Sequence, residues 1–279
     1  MAPRVALSLV RRQANRQGRP IEYPAEFEDY FLEELQARLL LVKKPFSNIL
    51  YHGPPLKRVI QYLEGLYKVD VFVNGGHASQ FLSGWRAHYG EVLPIKQRNY
   101  DLVVSMMHMH AVPEPEVLML QYHAALKPDG LFLSVMPGDN TLNEIKDAAL
   151  LADIALFSGA KIRIIPFLSA VEIAQIMQQR GFILPVVDID RKKINYLNLN
   201  SFWQDLKDMG EQGFLNKDIK KEGLLPDQFK KIMERVWLEK YKGDVSVDIL
   251  WLQGWTPGNM PVKQLKPGQG EQSLKDFLK

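Results

Sequence analysis

The chain has 279 residues, 46% of them hydrophobic, and its 35 Lys and Arg against 32 Asp and Glu leave a formal net charge of +3. That apolar fraction excludes a disordered chain, the near-balanced charge gives no ground for a nucleic-acid partner, and no apolar run reaches the ~20 residues a membrane helix needs. Cysteine is absent, which removes disulfides, thiolate zinc sites and cysteine nucleophiles together.

The chain opens on a basic stretch. Arg4, Arg11, Arg12, Arg16 and Arg19 precede the first acid, Glu22, which fits either a mitochondrial targeting segment or an ordinary basic arm. Tyr30, Leu32, Leu35, Leu39 and Leu40 recur near helical spacing and predict an amphipathic helix over 27–42. A short apolar run over 47–51 predicts a strand ended by the turn His52-Gly53-Pro54-Pro55, and 58–67 carries the next helical pattern. Residues 69–73 alternate into Asn74-Gly75-Gly76, a strand followed by a turn signal. Residues 101–106 read as a buried strand and 116–126 as the helix after it. Lys127-Pro128-Asp129-Gly130 closes that helix with a tight turn, and 131–136 is another apolar strand.

Strand and helix thus alternate, which predicts an α/β doubly wound, mostly parallel sheet covered on both faces. Helices follow over 141–157 and 170–180, the second stopped by Gly181. The late strands are 183–189 and 245–251, and between them the charged, largely helical stretch 198–241 is expected to cover one sheet edge. Beyond Gly254, Pro257, Pro261 and Pro267 predict an extended arm.

Residues 99–145 read NYDLVVSMMHMHAVPEPEVLMLQYHAALKPDGLFLSVMPGDNTLNEI. This segment resembles the mitochondrial complex I assembly factor 5-type methyltransferases and their proteobacterial relatives, which show a DLV strand, an LHW segment, an LKPDG turn, an apolar strand and a G-D-T-L-E-L pattern in that order. The resemblance continues through Arg180-Gly181-Phe182, the run from Pro185 to Asp190, Asp205-Leu206, and Met209-Gly210-Glu211. It ends with Gly254-Trp255-Thr256-Pro257, Lys266-Pro267-Gly268 and Ser273-Leu274, and so covers the chain from about residue 20 onward. It implies a class I methyltransferase-like, Rossmann-like fold with N-terminal helices and a C-terminal extended arm. The organisation it suggests is a basic segment and helix over 1–48, a methyltransferase-like domain over 49–254 with a helical insertion at about 198–241, and an arm over 255–279.

A methyltransferase of this fold holds S-adenosylmethionine at the carboxyl ends of its first strands, against bare backbone whose N–H groups donate to it. The resemblance leads one to expect an acid and then G-C-G after the first strand, where this chain has Tyr51, His52, Gly53, Pro54 and Pro55. The prolines remove two donors. Asn74 stands where a carboxylate would take the ribose hydroxyls, and an amide oxygen lacks the charge that strengthens such bonds. Glu91 precedes Val92-Leu93-Pro94, but Tyr89-Gly90 occupies the usual place of the adenine-reading acid. The LHW segment keeps His110 and has Ala111 for its tryptophan. Gly53, Asn74, Glu91 and His110 are therefore the vestigial candidates for cofactor contact, with no catalytic residue assigned. The plainer reading of Gly53 is the turn glycine of a strand–helix unit, and of 74–76 a tight turn.

His108 and His110, two apart, would face the same way on a strand, but no third ligand stands near and no metal is assigned. Glu114, Glu116, Asp139 and Glu144 read as helix-terminal acids. The lysines over 217–221, with Lys230, Lys231 and Lys240, read as a solvated helix face or as a contact for anionic headgroups or an acidic partner.

Two functions follow as expectations. The leading one is a catalytically inactive scaffold or accessory subunit of a mitochondrial inner-membrane respiratory complex (complex I or ATP synthase), on the matrix side, with no cofactor. Its partners would be protein subunits of that complex, with peripheral lipid contact and no nucleic acid. The alternative is an active S-adenosylmethionine-dependent methyltransferase or an arginine-modifying assembly factor of complex I; hydroxylation would need an oxidant-activating group.

Overall fold

The computed structural model describes residues 20–73, 83–88, 92–211 and 226–258. Seven strands, β1 (Asn48–Gly53), β2 (Lys68–Val73), β3 (Arg86–Ala87), β4 (Tyr100–Met106), β5 (Leu126–Pro137), β6 (Ile183–Asn195) and β7 (Asp244–Trp255), form one sheet in the order β3-β2-β1-β4-β5-β7-β6. The first five pair in parallel, whereas β7 runs antiparallel to both β5 and β6. The expected doubly wound, mostly parallel sheet of the class I methyltransferases is what the chain forms. Its direction of winding reverses between β1 and β4, where ligands of such sheets bind at the carboxyl ends of the strands.

The helices are α1 (Ala25–Leu40), α2 (Lys57–Leu66), α3 (Pro115–Ala125), α4 (Asn143–Phe157), α5 (Ala170–Gln179), α6 (Leu199–Asp208) and α7 (Asp227–Tyr241). Alternate residues of each central strand feed opposite faces. Ile49, Tyr51, Leu102 and Val104 pack with α1 and α2, while Leu50, Val103 and Phe132 pack with α3 and α5. In α1 the buried Phe31, Leu35 and Leu39 recur every four residues, the stripe a core-facing helix needs. Phe31 meets Trp251 of β7 edge-on at 6.4 Å. A third cluster joins α4, α6 and α7 with Val245 beyond the tip of β5.

The structure departs from the sequence reading in four places. β6 and β7 are longer than expected, pairing from Ile183↔Trp255 to Asn195↔Asp244. The charged run from Asp188 to Lys193 masks the strand because β6 is an edge, largely exposed, with no apolar face to announce. Lys127-Pro128-Asp129-Gly130 lies inside β5 as a register shift in the β4 ladder, with Asp129 at φ 58°. The stretch 198–241 contributes α6 and α7, with 212–225 outside the described residues, and α7 does not cover the sheet edge. It buries Phe229, Met233 and Trp237 against α4 and Val245 instead. Finally β3 and a 3-10 turn, Met109–Ala111, were not anticipated. The turn at Asn74-Gly75-Gly76 and the arm from residue 259 fall outside the described residues.

Candidate functional site

At the tip of β1, Gly53 has a structural reason to be glycine: a Cβ there would lie 2.2 Å from the Met106 carbonyl oxygen of β4. Pro54 and Pro55 are buried, the Tyr51 hydroxyl donates to the Pro54 carbonyl at 2.6 Å, and the Leu56 N–H donates to the same oxygen at 2.8 Å. Several of the chain's own rings gather beside this tip. His52 lies 4.1 Å from His108 and 5.7 Å from His88, centroid to centroid, and its Nδ1 is 2.8 Å from the Tyr122 hydroxyl. Complete burial pushes the Tyr122 hydroxyl up, the Ser105 hydroxyl beside it opposing weakly, and desolvation holds His88 below the usual histidine range. A glycine loop for S-adenosylmethionine needs donating backbone and an open cradle; this tip lacks N–H groups at two positions and is packed with imidazoles. Among the described residues, this tip does not offer S-adenosylmethionine the open glycine cradle of the fold. Asn74 and Glu91 lie outside the described residues.

Beyond β4 the backbone leaves the strand, with Met107 at φ 40° followed by the Met109–Ala111 turn. This sends the two histidines apart, so they share no face. His108 joins the cluster over β1. His110 points the other way, its Nε2 3.0 Å from Glu211 Oε2, both side chains at least nine-tenths buried. The Tyr23 hydroxyl donates to Glu211 Oε1 at 2.7 Å. Three remote segments thus meet on one carboxylate. They are pinned there by the Glu22 N–H on the Asp208 carbonyl at 2.8 Å and the Glu211 N–H on the Leu206 carbonyl at 2.7 Å.

The pair opens into a cavity of about 510 Å³ between the tips of β4, β5 and β7 and helices α6 and α7, within the range of small-molecule sites. Phe167, Tyr196, Trp203 and Phe229 supply aromatic wall. Arg163 at the rim shows how a guanidinium sits there: its charge rests on Asp153 at 2.5 Å while its plane lies 4.7 Å from the Phe229 ring. Of the sequence candidates, Gly53 belongs to the β1 tip and His110 to this cavity, so the structure does not bring them together. Glu211 stands in the Met209-Gly210-Glu211 segment that carried the resemblance, which was its available signal. Nothing in the sequence marks Tyr23.

A family model described as methyltransferase domain matches residues 30–184. Arginine-hydroxylase NDUFAF5, mitochondrial, of Danio rerio is 30% identical over 194 residues, covering 68% of this chain and 60% of that protein. The chain therefore spans about 60% of the length of that curated relative. Malonyl-[acyl-carrier protein] O-methyltransferase of Laribacter hongkongensis (strain HLHK9) is 23% identical over 183 residues, covering 64% of this chain and 59% of that protein. Among solved structures, the YcgJ protein of Bacillus subtilis superposes with a TM-score of 0.50 at 12% identity, over 81% of this chain and 98% of that one, a likeness of fold.

The expectation of a protein without enzymatic activity is corrected by the first relative, whose name is that of an enzyme. That expectation equated activity with the β1 loop. Hydroxylation is not methyl transfer, so loss of the methyl donor's cradle does not decide it.

Proposed function

Because the chain belongs to the methyltransferase-domain family, and its relatives at 30% identity include a mitochondrial arginine hydroxylase, we propose that it modifies a protein arginine, as an assembly factor of respiratory complex I. The observation that carries this reading is the buried His110–Glu211 pair in the wall of an aromatic-lined cavity. A guanidinium is a planar cation with five donors, and it is recognised by carboxylate oxygens and aromatic faces together. Glu211 supplies the first and Trp203, Phe167 and Tyr196 the second. Tyr23 and His110 hold the carboxylate in place, so little rearrangement accompanies arginine entry.

Replacing a C–H hydrogen of the arginine by OH requires dioxygen and a two-electron donor from outside the chain, the second oxygen atom leaving as water. What these residues contribute is to bind and orient the side chain, and to keep water from it. S-adenosylmethionine, the cofactor of the fold's methyltransferases, has no role in this reading, since the β1 tip does not offer it that open glycine cradle. The proposed setting is the matrix side of the mitochondrial inner membrane, with complex I subunits as partners. The domain over 49–254 would carry His110 and Glu211, and Tyr23 of the segment over 1–48 would complete the site.

Mass spectrometry of complex I subunits tests this. An arginine bearing one added oxygen atom is expected in cells with the wild-type protein and is missing when the protein is removed. Wild type restores it and Glu211→Gln does not. Full modification in the Glu211→Gln cells would sink the reading.

A further inference from the structure

Residues 148–160 read AALLADIALFSGA and hold a single ionisable side chain, Asp153, which is buried against Arg163. On α4, Ile145, Ala148, Ala149 and Ala152 face the core. Leu150, Leu151, Ile154 and Phe157 recur at i, i+1, i+4 and i+7 on the side turned to solvent, and Ile162 follows just past the helix. Ile154 is 53% exposed and Ile162 58%. A surface helix normally presents charge on that side, and a contiguous apolar face in its place marks a contact surface.

The surroundings of the face are cationic. Lys161 lies 5.0 Å over the Phe157 ring. Phe157 stacks at 6.4 Å on Phe229 of α7, whose exposed residues include Lys230, Lys231, Arg235 and Lys240. The acids nearby are Asp227, paired with Lys230, Asp147, paired with Lys240, and the exposed Glu239, while Glu234 turns inward to the Leu199 N–H. An apolar stripe edged by Lys161 and by Lys240, which reaches α4 at Asp147, is the arrangement of a helix lying in a bilayer interface, with cations at the level of the headgroups. A second copy of the chain would bring these cations against each other.

We propose that the exposed face of α4 docks the protein on an anionic lipid bilayer and thereby sets the cavity against the membrane surface. This rests on the function proposed above only for its inner-membrane setting. Phe229 touches Phe157 of the docking face and also lines the cavity, with Arg163 and Lys230 at the same rim. Docking by α4 therefore places the cavity beside the headgroups, where a membrane-bound subunit presents its arginine.

Flotation of the full chain with vesicles provides the test. Binding is expected to phosphatidylcholine vesicles containing cardiolipin, not to phosphatidylcholine alone, and to weaken with salt. Leu150→Glu with Ile154→Glu should cut vesicle binding by roughly tenfold or more, with an unchanged thermal melt and unchanged modification of a soluble arginine peptide. Leu40→Glu with Leu41→Glu, more exposed still but at the end of α1, should leave vesicle binding alone. Equal binding by the α4 double variant, or no binding of the wild type to cardiolipin vesicles, overturns the proposal. So does a concentration-dependent dimer that the α4 double variant abolishes. Vesicle binding retained by Glu211→Gln while peptide modification is lost separates the two ideas, since docking and chemistry then depend on different residues.

Discussion

Glu211 receives the Tyr23 hydroxyl from 188 residues earlier and the His110 ring from 101 residues earlier. Tyr23→Phe keeps the ring and removes one donor to a buried carboxylate, so it should cost about 1–3 kcal/mol of stability, read from denaturant unfolding, and slow arginine modification. Burial shapes the acid response too. Desolvation lowers the pKa of His88 and of His123. In the unfolded chain both protonate near pH ~6.5, and in the folded chain only at lower pH. The unfolded state therefore binds more protons in that window, and stability falls as the pH drops below about 6.5. The melting temperature should decline from about pH 7.5 to about pH 5.5, less steeply in His88→Gln. At this scale the sequence pointed to His110 through a resemblance, but its partner comes from a loop whose approach no local spacing encodes. Gly53 stood out as well, for a cofactor reason, whereas its neighbour is a carbonyl of the adjacent strand.

Among the elements, β1 and β4 approach each other at Gly53, which is why their tips close. Gly53→Ala puts a methyl 2.2 Å from the Met106 oxygen, and the strands must part. Overpacking of this kind costs typically about 1–3 kcal/mol, which a shifted denaturation midpoint would register. Helix α4 is tied to the segment after it by the Asp153–Arg163 pair, with Asp153 fully buried. Asp153→Ala leaves a guanidinium beside Phe229 without its counter-charge and should destabilise by about 3–5 kcal/mol; Arg163→Met together with it should recover part of the loss. Elements buried on both faces, such as β1 and β4, could be read directly because their apolar runs are unbroken. The full lengths of β6 and β7 could not, since an exposed edge tolerates the run from Asp188 to Lys193 and looks like a loop in composition.

For the molecule as a whole, alternation of strands and helices implied a parallel sheet but could not order the strands, because pairing depends on contacts between segments distant in the chain. The resemblance named the fold class, and the structure gives the order. Nor did the resemblance supply the third cluster, where α7 sets Trp237 among α4, α6 and Val245. Trp237→Ala should cost about 3–5 kcal/mol and loosen the cavity wall, so that peptide modification falls with the melting temperature. The antiparallel course of β7 has a practical side. It starts beside the cavity at Val245 and Val247 and ends where the Thr256 hydroxyl donates to the Lys127 carbonyl at 2.6 Å and its N–H to the Gly130 carbonyl at 2.9 Å. Over that span of strand the chain travels roughly 35 Å, so the exposed Pro257 lies at the end of the sheet away from the cavity. A dye on Pro257→Cys, in a chain without other cysteines, would follow the protein without crowding its working end.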